Sequence, residues 1–112
     1  MSDNSADVAV LMRLYQTILA RRHADPEQSY VARLSAKGRL KIAQKLGEEA
    51  VETALAAVAQ GDDALVDESA DLLFHLLLLW ADAGIRPERV FAKLAAREGI
   101  SGLNEKAARK KL

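Results

Sequence analysis

Two short groups of acidic residues have the clearest capacity for chemistry in this sequence. The first group is Glu48, Glu49 and Glu52, and the second is Glu68 and Asp71. Spacings of three and four residues place side chains on one face of an α-helix, so each group predicts an acidic stripe. Convergent carboxylates repel one another, and burying them without a partner is unfavourable. A divalent cation or nearby lysines would remove that repulsion.

Mg²⁺ is the cation that suits such a group, because it takes oxygen ligands and keeps waters and substrate phosphates in its shell. Zinc would favour cysteine or several histidines, and the chain has no cysteine and only His75 close to the acidic residues. We expect His75 to support Asp71 or Glu68 by a hydrogen bond, or to be structural, rather than to bind metal. The alternative is a solvated acidic face with lysine partners one turn away.

The elements that position these residues are all predicted to be helices. Apolar residues recur at helical spacing, and no stretch has the alternation of a half-buried strand. Capping and breaking residues give predicted helices at residues 5–22, 29–36, 39–60, 62–83 and 87–98, with Ser5, Ser29 and Asp62 or Asp63 as caps. The fold class is therefore an all-α helical bundle. We expect a single domain over residues 1–112, with the bundle at about 8–98 and a basic tail at 99–112.

The third and fourth predicted helices form a hairpin. Each is about 33 Å long, and residues 61–63 between them are too few to do anything but reverse the chain. Glu52 and Asp71 lie at similar distances from this turn, so the two acidic stripes should meet at one level.

The fourth predicted helix is apolar over most of its circumference between residues 72 and 80. Such a helix must be surrounded, and a chain of 112 residues offers few neighbours. We therefore expect a two-fold homodimer that covers the excess apolar surface. The alternative is that the flanking helices cover it alone.

Composition narrows the classes of partner and compartment. Sixteen basic residues balance sixteen acidic ones, so the chain lacks the basic surplus of a general nucleic-acid binder. The first ten residues are polar and acidic, unlike a signal peptide, and the apolar run at 76–81 is far short of the roughly 20 residues that cross a bilayer. We expect a cytoplasmic protein without membrane or nucleic-acid partners.

The two acidic segments also carry a family resemblance. KLGEEAVE at residues 45–52 and ESADLLFH at 68–75 resemble the MazG-type all-α nucleotide pyrophosphohydrolases, whose pattern is EExxE, a spacer and ExxD. More closely, the chain resembles the phosphoribosyl-ATP pyrophosphohydrolase family of histidine biosynthesis. Further matches, within a resemblance that spans about residues 8–109, lie at residues 25–30, 37–45, 97–99 and 101–107.

The resemblance implies an activity: Mg²⁺-dependent hydrolysis of the α–β phosphoanhydride of phosphoribosyl-ATP to phosphoribosyl-AMP and pyrophosphate, the second step of histidine biosynthesis. Such a reaction needs a metal at the phosphate oxygens and a polarised water. Matched residue by residue, the implied metal ligands are Glu49, Glu52, Glu68 and Asp71. Glu48 is implied as a further ligand or as the base that activates water, so that the catalytic residues are Glu48, Glu49 and Glu52.

The same resemblance implies cations for the polyphosphate: Lys37, Lys41, Lys45 and Lys106, with Arg33 a weaker candidate. Two other functions stay open. One is a house-cleaning nucleoside-triphosphate pyrophosphohydrolase that uses the same acidic site, and the other is a non-enzymatic helical dimerisation module. Residues 37–45 and 101–106 favour phosphoribosyl-ATP, because the acidic motif alone does not require them.

Overall fold

A computed structural model describes residues 6–100, and these residues form five α-helices and no strand. The helices are α1 (Ala9–Arg21), α2 (Tyr30–Lys37), α3 (Arg39–Ala59), α4 (Asp62–Ala83) and α5 (Pro87–Ala96). The predicted all-α fold is confirmed. Most of the predicted basic tail, including Lys106, lies outside the described residues.

Three of the predicted helix ends need comment. Ser29 caps α2 as predicted, since its hydroxyl accepts a hydrogen bond from the Ala32 N–H. The predicted cap Ser5 lies outside the described residues, and α1 begins later than that cap would place it, at Ala9, whose N–H donates to the Asp7 carboxylate. Gly61, rather than an aspartate, is the N-cap of α4; the two aspartates that follow lie in its first turn, where negative charge favours the helix dipole.

The hairpin of α3 and α4 is the most extensive helix contact in the described structure. The chain reverses at Gly61, whose φ of 118° is open to glycine and disfavoured for other residues. The N–H groups of Gln60 and Gly61 both donate to the Ala56 carbonyl, which ends α3. This tight reversal sets which residues of the two helices lie opposite each other.

The core lies at the end of the hairpin that is remote from this turn. Here α1 packs against α4, and α2 packs against α3. The Tyr15 hydroxyl donates to the Ile85 carbonyl, and Arg22 donates to the Ala81 carbonyl, both at 2.8 Å, so two side chains fasten α1 to the end of α4. The buried cluster consists of Tyr15, Ile18, Val31, Leu34, Ile42, Leu77, Leu78 and Ala81.

A row of apolar and small residues on α3 is exposed in the single chain. Leu40 and Val58 are 85% and 82% exposed, and Val51 and Leu55 lie between them on the same side of the helix. We call this row the outer face of α3; its small members are Ala43, Gly47, Ala50 and Ala54. It lies opposite the side of α3 that packs on α4, so the flanking helices leave it uncovered.

None of the described helices is long and apolar enough to span a bilayer.

Candidate metal centre

The hairpin brings three of the predicted metal ligands together. One carboxylate oxygen each from Glu49 on α3 and from Glu68 and Asp71 on α4 lies within 4.8 Å of the other two. The expectation that the two acidic stripes meet at one level of the hairpin is therefore met by these three residues. Their spacing is short enough for a single cation to contact all three.

Two carboxylate oxygens of this group are buried without a hydrogen-bond partner. The Oε2 atoms of Glu49 and Glu68 are buried, and neither has a hydrogen-bond partner among the described residues. Buried polar atoms are nearly always satisfied, so two unpartnered oxygens side by side need an explanation. A hard divalent cation supplies one, because it binds carboxylate oxygens directly. The residues present therefore fit the magnesium ion that the family resemblance implies.

Glu52 lies at the edge of this group, against Glu68. The pKa of Glu68 is raised, first by burial, then by repulsion from Glu52 and a hydrogen bond with its carboxyl group, and further by Glu49 and Asp71. The raised pKa reflects repulsion among carboxylates that lie close together, and a bound cation would relieve that repulsion. The fourth predicted ligand thus lies beside Glu68, outside the group of three.

Glu48 points away from the three-carboxylate group. Its carboxylate is exposed and pairs with the Lys45 ammonium at 3.4 Å. That hydrogen bond and the charge of Glu48 are the main reasons that the pKa of Lys45 is raised. Adjacent helical residues differ by about 100° in direction, which is why Glu49 faces α4 and Glu48 does not.

The other predicted phosphate-binding residues lie around the amino-terminal part of α3. Lys41 is half-buried, Lys37 is exposed in the last turn of α2, and within residues 6–100 neither ammonium forms an ion pair. Arg33 instead donates to the Pro26 carbonyl in the loop before α2. Of these three lysines, Lys45 is the one whose ion pair with an acidic residue of α3 is seen within residues 6–100.

His75 is buried and bonded on both ring nitrogens. Its Nδ1 donates to the Asp71 carbonyl at 2.8 Å, so in the neutral ring Nε2 accepts from the Tyr30 hydroxyl at 3.1 Å. The histidine thus contacts the backbone of Asp71 rather than its carboxylate. It joins α4 to the first residue of α2.

Thr53 is a site residue that the sequence patterns did not reveal. Its hydroxyl lies 2.7 Å from the Glu49 carbonyl and 3.2 Å from the Glu68 carbonyl. One hydroxyl therefore touches the backbone of two residues of the acidic group, on both helices of the hairpin. In the sequence, Thr53 is marked only by its position, one turn after Glu49 and directly after Glu52. A threonine at such a position is equally common on an exposed helix face, so the spacing does not reveal its role.

Comparison with known proteins identifies the family of this chain. Residues 11–98 match the family described as phosphoribosyl-ATP pyrophosphohydrolase. Curated relatives named phosphoribosyl-ATP pyrophosphatase include one from Azospirillum brasilense, 57% identical over 98% of this chain and 99% of its own length. Another, from Paramagnetospirillum magneticum, is 56% identical over 94% of this chain and 96% of its own length. All members of the acidic group lie inside the matched region, and the chain belongs to the phosphoribosyl-ATP pyrophosphohydrolase family.

Proposed function

We propose that this chain is an enzyme that hydrolyses phosphoribosyl-ATP between its α and β phosphates, giving phosphoribosyl-AMP and pyrophosphate for histidine biosynthesis. The observation that carries the proposal is the pair of buried, unpartnered oxygens of Glu49 and Glu68 beside Asp71, in a chain that matches this family. A simple solvated acidic face would leave such oxygens in contact with water.

Mg²⁺ is the proposed cofactor, held by Glu49, Glu68 and Asp71 with Glu52 beside them. The bound ion supplies charge neutralisation at the phosphate oxygens and at the leaving group. The protein's own contribution is to hold the carboxylates close together before the substrate binds. The α3–α4 hairpin and the contacts of the Thr53 hydroxyl support this arrangement. His75 is proposed to keep the Asp71 segment in place through its backbone bond.

Glu48 is proposed to polarise the attacking water rather than to bind metal. It lies one residue from Glu49, outside the three-carboxylate group, and its carboxylate is exposed. The Lys45 ammonium pairs with that carboxylate and holds it in place, as a positioned general base requires.

Lys45, with Lys41 and Lys37, is proposed to bind the polyphosphate, a role that we extend to Lys106. The expected effect of Lys45→Ala is a higher KM, by about tenfold to a hundredfold, because a charge-assisted hydrogen bond contributes about 1.5–3 kcal/mol. Steady-state kinetics check this. An unchanged KM would remove Lys45 from the phosphate site.

The assembly is proposed to be a homodimer in the cytoplasm. The outer face of α3 supports the dimer, since Leu40 and Val58 on it are almost fully exposed in the single chain. An apolar row of this length is unusual on a monomer in water.

The test of the function is pyrophosphate release from phosphoribosyl-ATP, with and without Mg²⁺, compared with ATP, dCTP and dUTP. Release from phosphoribosyl-ATP alone, dependent on Mg²⁺, is the expected result. Release only from the other nucleotides would assign the chain to the house-cleaning class. No release from any of them would leave a helical dimerisation module.

A further inference from the structure

A cavity of about 560 Å³ lies where the end of α1 and the loop after it meet the start of α2 and one turn of α4. Its walls include Arg21, Gln28, Tyr30 and Phe74, and none of the predicted site residues. The volume falls in the range of small-molecule sites. The acidic group and the lysines therefore leave this space without an assigned role.

Two aromatic rings form one wall of the cavity. The Tyr30 and Phe74 rings lie 6.0 Å apart between centroids, with their planes inclined at 31°. Tyr30 is 45% exposed, yet its hydroxyl is fixed by His75. An exposed ring that is held in one orientation is a preorganised surface for a flat ligand.

This wall is joined to the acidic group through α4. Phe74 follows Asp71 by three residues, about one helical turn, and His75 bonds both the Tyr30 hydroxyl and the Asp71 carbonyl. A ligand whose phosphates reach Asp71 therefore has the aromatic wall within reach of its base.

Arg21 supplies an available cation at the same cavity. It is exposed in the last turn of α1, and no described residue forms an ion pair with its guanidinium. Guanidinium groups match phosphate geometry in a two-pronged contact. The cavity thus has an aromatic surface and, apart from it, an arginine side chain that can bind phosphate.

The substrate of the proposed reaction has two features that fit these groups and that ATP lacks. Its adenine carries a ribose 5′-phosphate on N1, which adds a phosphate remote from the triphosphate. Alkylation at N1 also makes the protonated ring a delocalised planar cation, and aromatic faces attract cations more strongly than neutral rings.

We propose that this cavity binds the N1-phosphoribosyl adenine part of the substrate, with Tyr30 and Phe74 against the adenine ring and Arg21 on the ribose 5′-phosphate. The assignment rests on the proposed function. It makes the cavity the part of the site that separates phosphoribosyl-ATP from ATP, while the acidic group treats both triphosphates alike.

The test is calorimetric binding of phosphoribosyl-AMP and of AMP to the purified full chain, which requires no turnover. Wild type should bind phosphoribosyl-AMP more tightly than AMP. Arg21→Ala should weaken phosphoribosyl-AMP about tenfold to a hundredfold and leave AMP unchanged, since AMP has no second phosphate. Lys93→Ala, which removes an exposed cation on α5, is the matched control and should change neither affinity.

The aromatic wall is tested separately. Tyr30→Leu should weaken phosphoribosyl-AMP by about tenfold, whereas Tyr30→Phe keeps the ring and should retain most of the affinity. Thermal unfolding verifies that each variant is folded. Equal affinity of wild type for the two nucleotides, or an Arg21→Ala variant with the wild-type ratio, would overturn the assignment. Absence of pyrophosphate release by wild type would instead refute the proposed function and leave these binding results to stand alone.

Discussion

Glu68 must be deprotonated to bind the proposed metal ion, yet its surroundings disfavour the loss of its proton. Burial and three neighbouring carboxylates raise its pKa, so the folded chain binds the Glu68 proton more tightly than the unfolded chain does. Its contribution to stability is therefore fully present below the ordinary glutamate pKa of 4.5 and is lost as pH rises through the raised folded value. Metal binding must displace the proton, so it is favoured at high pH.

The raised pKa of Glu68 predicts how the stability of the chain depends on pH. Without metal, the melting temperature of wild type should decline as pH rises above 4.5 through the raised pKa of Glu68, and added Mg²⁺ should restore it increasingly as pH rises. Glu68→Gln should flatten the decline and remove the Mg²⁺ effect. Differential scanning calorimetry at fixed ionic strength measures both, with Asp67→Asn, a change at the exposed neighbour, as the control. A metal-free curve of the same shape for wild type and Glu68→Gln would contradict the electrostatic account.

The proposed ligands Glu52 and Asp71 give a prediction for activity. Glu52→Gln and Asp71→Asn should each lower kcat by about 10³-fold or more, because metal stabilisation of the transition state contributes several kcal/mol and each 1.36 kcal/mol is tenfold in rate. The helical circular dichroism spectrum should not change, since each replacement keeps the side chain's size. Near-wild-type turnover in either variant would show that the residue is not a ligand.

At the scale of helices, Thr53 lies between α3 and α4, beside the three-carboxylate group. Its hydroxyl is within hydrogen-bond distance of a carbonyl on each helix, so its loss should let Glu49 and Glu68 move apart. Thr53→Val keeps the branched shape and removes the hydroxyl. We expect it to lower stability by about 1 kcal/mol and Mg²⁺ affinity by about tenfold.

Thr53→Ser is the matched control for that change, because it keeps the hydroxyl and should retain Mg²⁺ affinity. Titration of Mg²⁺ followed by thermal shift compares the two variants directly. If valine and serine behaved alike, the hydroxyl would have no part in positioning the two glutamates.

The helices themselves were predictable because strong local signals mark their ends. Ser29, Gly61 and Gly84 set the limits of α2, α3 and α4 close to where the sequence places them. The start of α1 was misplaced because capping residues are common near helix ends; the Asp7 carboxylate accepts a hydrogen bond from the first helical N–H group.

Which members of a stripe meet across the hairpin was not predictable to the same degree. The acidic pattern named Glu48 and Glu49 together, and only the rotation of α3 decides that Glu49 faces α4. That rotation is set by packing far along the helix, where Ile42 and Ala56 are fully buried. The Tyr30–His75 bond likewise joins residues that are distant in sequence, and no local spacing indicates it.

At the scale of the molecule, the outer face of α3 bears on stability as a whole. The buried core occupies one end of the hairpin, while Val51 and Val58 remain exposed on α3. A small chain buries a limited share of its surface, so a partner that covers this face would add substantially to stability. The melting temperature of wild type should therefore rise with protein concentration.

Val51→Glu tests the face itself, because it places a charge at the middle of the apolar row. We expect the dimer dissociation constant to rise by about two orders of magnitude, observed as a monomer by light scattering, since an unpaired charge in an apolar interface costs several kcal/mol. Val8→Glu, which changes an even more exposed valine outside the outer face, should leave the assembly intact. An undisturbed dimer in Val51→Glu would exclude the outer face of α3 as the interface.

The same variant separates assembly from metal binding. Glu49 lies on the side of α3 opposite to Val51, and the three-carboxylate group is complete within one chain. Mg²⁺ should therefore still raise the melting temperature of the Val51→Glu monomer, though from a lower starting value. If the monomer remained helical but lost this response, the metal centre would depend on the second chain, and the hairpin of one chain would not suffice to form it.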